Sequence, residues 1–211
     1  MTNDELFSQL LDKISSFDYI HADQIPNIDL YMDQVTTFMD THLGATRRYD
    51  EDKVLTKTMI NNYAKNNLLP SPEKKRYSKE HLLLLIFIYY FKNILSINDI
   101  QTLLGPITEK YFRSDSEMDL TAIYNEVFSM EREQVELLKK SLLKSYHTSE
   151  KTFENAPEEE QKFLKLFSFI CLLSFDVYTK KMLIEQLVDE LRSEHQDSSP
   201  KSKKSKKCPL K

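Results

Sequence analysis

Residues 56–104 read TKTMINNYAKNNLLPSPEKKRYSKEHLLLLIFIYYFKNILSINDIQTLL. Thr56 stands where a helix N-cap needs a side-chain oxygen to accept a backbone N–H. The helix it opens carries Met59, Ile60 and Tyr63 on one face. Asn67 ends it, because asparagine is the second choice after glycine for the left-handed residue past a helix end. Leu68-Leu69-Pro70-Ser71-Pro72 leaves the helix, since proline cannot continue it. Glu73 to Arg76 is a short basic loop. Ser78 caps the next helix, with His81 at the capping-box position where Glu or Gln is usual. That helix runs to about Lys92, and its stretch Leu82–Phe91 is apolar all round, as a helix buried on every side requires. Ser96 caps a further helix, Ile97 to Leu104, closed by Gly105-Pro106.

The first of these helices presents Lys57, Thr58, Asn61, Asn62 and Lys65 opposite its apolar face. Asparagine can pair with adenine through two hydrogen bonds, threonine can touch a base or a methyl group, and lysine can reach guanine or phosphate. A recognition helix in a major groove uses such side chains. Lys74, Lys75, Arg76 and Tyr77 follow at once, and three consecutive cations suit the neighbouring phosphates. The expected DNA-binding residues are therefore Lys57, Thr58, Asn61, Asn62, Lys65, Lys74, Lys75, Arg76 and Tyr77.

The run Thr56…Ile60…Tyr63…Leu68-Leu69-Pro70…Arg76-Tyr77-Ser78…Leu82…Leu85…Phe87-Ile88…Phe91…Ser96-Ile97-Asn98-Asp99-Ile100…Leu103-Leu104 resembles the winged helix-turn-helix of MerR-type bacterial regulators. In that family a capped recognition helix ends in a Gly-Leu-Leu-Pro-like stop. A wing, an Arg-x-Tyr-Ser-like restart and a Ser-x-x-x-Ile-x-x-Leu-Leu-like helix follow. Here Asn67 stands in place of the glycine, and Arg76 and Tyr77 are adjacent. The wider stretch from about Tyr19 to Leu104 also resembles a bacterial family catalogued as domain of unknown function 1836. The resemblance implies a sequence-specific transcriptional regulator that binds double-stranded DNA, by analogy of fold. Asp29–Gly44 would be the first helix of the unit, separated from the second by a charged connector, Ala45 to Lys53.

The rest of the chain fits an all-α fold with room for a short β-hairpin wing. It has 211 residues, 40% hydrophobic and 29% charged, with two glycines and no tryptophan. Sandwiches, barrels and doubly wound sheets need more glycine at their turns. Asp4 can cap a first helix with Leu6, Phe7, Leu10, Leu11 and Ile14 inward. A helix from Leu30 to Leu43 turns Val35, Phe38, Met39 and Leu43 inward and stops at Gly44. Two long helices follow, Leu120–Tyr146 and Pro157–Leu191. The second carries Phe163, Leu166, Phe167, Ile170, Leu173, Val177, Leu183, Leu187 and Leu191. Their broad apolar faces fit a C-terminal bundle within the chain or a homodimer interface. The expected divisions are an N-terminal helix and loop over 1–28, the MerR-like unit over 29–106, a helical region over 107–196 and a disordered lysine-rich tail over 197–211.

Charge is uneven. Residues 46–92 hold ten basic and five acidic side chains, whereas residues 1–45 hold one basic and eight acidic. The tail 201–211 has six lysines and no acid. Two positive islands in a chain of net charge −4 suggest where a polyanion binds. Cys171 lies in an apolar helical run and Cys208 in the tail, with no structural partner for either, which fits a reducing, cytoplasmic setting. No run approaches the length of a membrane span. The five histidines are scattered without metal spacing, no glycine-rich loop can cradle a phosphate, and no carboxylate pair sits in an apolar setting. The expectation is a non-enzymatic protein without metal or cofactor, and no small-molecule effector is specified. The alternative is a helical protein-protein interaction module that keeps the fold without DNA contact.

Overall fold

The computed structural model describes residues 2–15 and 19–197, the side chains of Arg132 and of residues 195–197 excepted. The lysine-rich tail and Cys208 lie outside the described residues. Among the described residues the chain is mostly helical with one two-stranded sheet. In order, it forms α1 (Asn3–Ser15), β1 (Leu30–Tyr31), α2 (Met32–Leu43), a 3-10 turn (Gly44–Thr46), α3 (Lys57–Lys65), β2 (Arg76–Tyr77), α4 (Lys79–Phe91), α5 (Ile97–Tyr111), α6 (Leu120–Ser129), α7 (Glu131–Glu150) and α8 (Glu158–Asp197). Among the described residues no helix is long and apolar enough to cross a membrane.

The main core forms around α4. His81 and Leu82 through Tyr89 are all buried, with α2, α3, α5 and α6 supplying Val35, Met39, Ile60, Ile100, Leu104, Leu120 and Tyr124 against them. Each aliphatic side chain so enclosed contributes roughly 1.5–3 kcal/mol relative to exposure. This is why a helix with no polar face is stable here. A second, much smaller core joins α1, α7 and α8 through Phe7, Tyr146 and Phe169. The Phe7 and Tyr146 rings stack with centroids 4.1 Å apart, and the Tyr146 hydroxyl donates to Asp4 Oδ1 at 2.6 Å.

Several elements depart from the sequence expectation. Thr2 caps α1, not Asp4: its hydroxyl accepts from Glu5 N–H at 3.1 Å and Glu5 answers from Thr2 N–H at 2.7 Å. Asp4 is engaged by Tyr146 instead. Helix α2 begins at Met32, because Leu30 and Tyr31 pair as a strand with β2. Gly44 is right-handed (φ −59) and leads into the 3-10 turn, so it does not act as a left-handed stop.

Helix α5 runs through Gly105-Pro106 to Tyr111. Pro106 removes one internal hydrogen bond, but Ile107 and Tyr111 beyond it pack on the main core and hold the helix together. Residue 106 therefore lies inside α5. The expected helix 120–146 is two helices that break at Met130, so that Phe128 can stay on Phe87 and Tyr124 while α7 turns toward α1. Helix α8 differs most. Leu166 and Leu173 are half-buried, but Phe163, Phe167, Ile170, Val177, Leu183, Leu187 and Leu191 are exposed. Cys171, in the apolar run of this helix, is half-buried with a free thiol.

Candidate nucleic-acid interface

Helix α3 is fixed at both ends by local chemistry. Thr56 is extended, and its hydroxyl accepts from Met59 N–H at 3.1 Å. At the other end Asn67 adopts φ 56, which lets Leu68 N–H reach the Tyr63 carbonyl at 2.9 Å and Asn67 N–H reach the Ala64 carbonyl at 3.2 Å. Those two bonds form a complete Schellman motif. Ile60, Tyr63 and Leu68 are buried beneath it. A helix of nine residues is too short to persist alone, so the two caps and this buried face hold it. Lys92 adds a tether: its half-buried ammonium donates to the Val54 carbonyl at 2.7 Å, and burial lowers its pKa.

The basic loop is a tight turn. Arg76 N–H donates to the Glu73 carbonyl at 2.8 Å, and Lys74 and Lys75 between them have φ 49 and 63. Two positive φ values in succession define a type I′ turn, which normally selects Asn-Gly. The chain places two lysines there. Beyond the turn, β2 pairs antiparallel with β1, Leu30 opposite Tyr77 and Tyr31 opposite Arg76. The Arg76 guanidinium lies over the Tyr31 ring, 6.0 Å from its centroid. The turn therefore has no long hairpin of its own. It is laddered to the residues just before α2.

The structure leaves Lys57, Thr58, Asn61, Asn62, Lys65, Lys74, Lys75 and Arg76 exposed. Tyr77 is 3% exposed and belongs to the core, where burial raises its pKa. Lys57 pairs with Asp33 in the first turn of α2. Because Asp33 lies two residues beyond Tyr31, Lys57 and Arg76 converge on the start of α2. Lys65 lies about 12 Å further along α3. Two acids stand among these cations, Asp33 on Lys57 and Glu73 on Arg113. Neither pairing was legible in the sequence, because each joins residues more than twenty positions apart.

His81 anchors the start of α4 after the turn. Its Nδ1 accepts from Ser78 N–H at 3.0 Å and lies 2.9 Å from the Ser78 hydroxyl. Burial lowers its pKa, and Arg113 nearby lowers it further. Nε2 is buried without a hydrogen bond; the Pro70 carbonyl and the carboxylates of Glu80 and Asp29 favour the charged ring too weakly to offset burial. Beside the C-terminal end of α3 lies a groove of about 860 Å³, lined by Asn67, Leu69, Pro70, Gln101, Thr102 and Arg192 among others.

No curated protein and no solved structure matches the chain. The model of one family, described as a domain of unknown function (DUF1836), matches residues 20–127. The match takes in β1 through most of α6, and so covers the α4-centred core together with α3 and the Glu73–Arg76 turn. By that match over half its length, the chain belongs to the DUF1836 family.

Proposed function

We propose that the chain is a sequence-specific DNA-binding regulator that uses a MerR-like winged helix-turn-helix. In this reading α2 and α3 are the helix pair, and α3 enters the major groove. Thr58, Asn61, Asn62 and Lys57 read base edges, while Lys65, Lys74, Lys75 and Arg76 take phosphates. The observation that carries the reading is the convergence of Lys57 and Arg76 at the start of α2. A helix capped at both ends, with a polar outer face and a two-lysine turn laddered beside it, supports the reading. Tyr77 serves the core and contacts no DNA.

The test is a division of labour. Asn62→Ala relaxes base preference at one position, costing about 1–3 kcal/mol on the preferred site. Lys75→Ala weakens all duplexes alike and lowers the salt slope by about one. Equal losses on specific and random duplexes in both variants would refute the assignment.

A second reading, a protein-interaction module that retains the fold, draws support from Asp33 and Glu73, which take up positive charge within this surface. It is favoured if the chain shows no preference among duplexes at moderate salt.

A further inference from the structure

The break between α6 and α7 borders a cavity of about 700 Å³. Its walls come from elements of both cores: Ile14 near the end of α1, Thr46 in the turn after α2, Val127 and Phe128 on α6, and Val135 and Leu138 on α7. Close-packed proteins leave few spaces much larger than a water molecule. Small-molecule sites span roughly 300–1,000 Å³. Along the wall Val127, Met130 and Leu138 are 43%, 56% and 40% exposed. Water against such a wall faces mostly carbon and is poorly held, so an apolar molecule displaces it with a gain in affinity.

The floor is aromatic. The Tyr19 ring centroid lies 4.9 Å from that of Tyr90 and 4.8 Å from that of Phe128, and Phe128 lies 4.2 Å from Tyr124. Such rings offer flat, rigid faces to a second ring system. Around this floor the Tyr89 hydroxyl is engaged by the Thr46 hydroxyl, and the Tyr124 hydroxyl donates to the Ile20 carbonyl. The Tyr90 hydroxyl is buried, and no described residue accepts from it. A buried donor without an acceptor is costly and rare in a native fold.

We propose that this cavity binds a neutral, ring-containing apolar small molecule with one carbonyl-type oxygen, and that this oxygen accepts from Tyr90. The charge of the lining selects a neutral molecule. Among the described residues it holds one basic group, Lys13, and one acidic group, Glu131. An ionic ligand would lose its hydration against the apolar wall without a matching excess of opposite charge. Once bound, the molecule braces the turn after α2 against α7. The inference stands whether or not the chain binds DNA.

Two neutral fluorescent probes test it on the full chain: N-phenyl-1-naphthylamine, which has no carbonyl, and 6-propionyl-2-dimethylaminonaphthalene, which has one. Both are expected to bind saturably, at one probe per chain. Val127→Trp and, separately, Leu138→Trp fill the cavity from α6 and α7 and should weaken both probes roughly tenfold or more. Helical circular dichroism should not change, since both positions are well exposed. Leu137→Trp, on α7 and half exposed but outside the lining, should change neither affinity. Tyr90→Phe should weaken the carbonyl probe roughly twofold to tenfold and leave the other unchanged. No saturable binding, or binding that survives both filling variants, overturns the site. Loss with Leu137→Trp equal to that with Leu138→Trp overturns its location. Equal responses of the two probes to Tyr90→Phe overturn the role of the Tyr90 hydroxyl.

Discussion

Replacing Lys74-Lys75 by Asn-Gly separates the geometry of the wing from its charge. Both lysines hold left-handed backbone, at φ 49 and 63. That conformation costs a residue with a β-carbon roughly 1–2 kcal/mol relative to the ordinary helical region. Glycine relieves this cost fully and asparagine partly, and Asn-Gly is the preferred pair for a type I′ turn. The Lys74→Asn/Lys75→Gly double variant should therefore be more stable by roughly 1–2 kcal/mol, with the Arg76 N–H to Glu73 carbonyl bond retained. In the DNA-binding reading, affinity for duplex should move the opposite way. Each lost phosphate contact removes about 0.9 from the slope of log affinity against log salt. Between about 50 and about 200 mM salt the variant should then weaken roughly 12-fold less than the parent. Urea titration followed by circular dichroism reads the first effect, and fluorescence anisotropy with a labelled duplex at four salt concentrations reads the second. A double Lys→Gln variant should show the binding loss without the gain in stability. Unchanged affinity and salt slope in the Asn-Gly variant would refute a phosphate-contacting role for the wing, whatever happens to stability.

Three further perturbations test the scaffold beneath that surface. Thr56→Ala removes the acceptor for Met59 N–H; it should cost about 1 kcal/mol in urea unfolding and speed amide exchange in the first turn of α3, whereas Thr56→Ser should change little. Leu84→Ala, at a fully buried position, should cost about 2–5 kcal/mol and lower Tm without altering the duplex preference of the folded fraction. His81 predicts acid sensitivity. Its folded pKa lies below the ordinary value of about 6.5, mainly because of burial and then Arg113. The unfolded chain therefore takes up the proton first. Stability present above about pH 6.5 falls as pH drops below it, until the folded ring also protonates. His81→Gln keeps an acceptor for Ser78 N–H and should flatten the dependence of Tm on pH below about 6.5; an unchanged profile would show that His81 is not responsible.

Much of the fold could be read where local chemistry decides it. Thr56, Ser78 with His81, Ser96 and Asn67 all act at the helix ends where their side chains suggested, and Leu82 to Tyr89 is buried throughout. What misled was punctuation overruled by packing. Gly105-Pro106 reads as a stop, yet Ile107 and Tyr111 have a core to reach. Residues 120–146 keep helical spacing throughout, yet the break at Met130 is set by where Phe128 and α1 lie. The β1–β2 ladder could not be read from two-residue strands 45 positions apart. The positive φ values of Lys74 and Lys75 follow from closing that ladder, not from the residues themselves. On the surface, eight of the nine expected contact residues are exposed. Tyr77 is not, because its position opposite Leu30 turns it inward. The apolar spacing along α8 was legible, but it cannot say whether the face meets its own chain or another.

The most direct test of the central claim is a titration of the full chain against fluorescent duplexes drawn from its own upstream region. A scrambled duplex of equal length and composition serves as the reference, at low and moderate salt. The DNA-binding reading predicts tighter binding to one native duplex, with a preference that persists at moderate salt while overall affinity falls with salt. Weak and equal binding to all duplexes that vanishes as salt rises would contradict it, leaving lysine electrostatics alone.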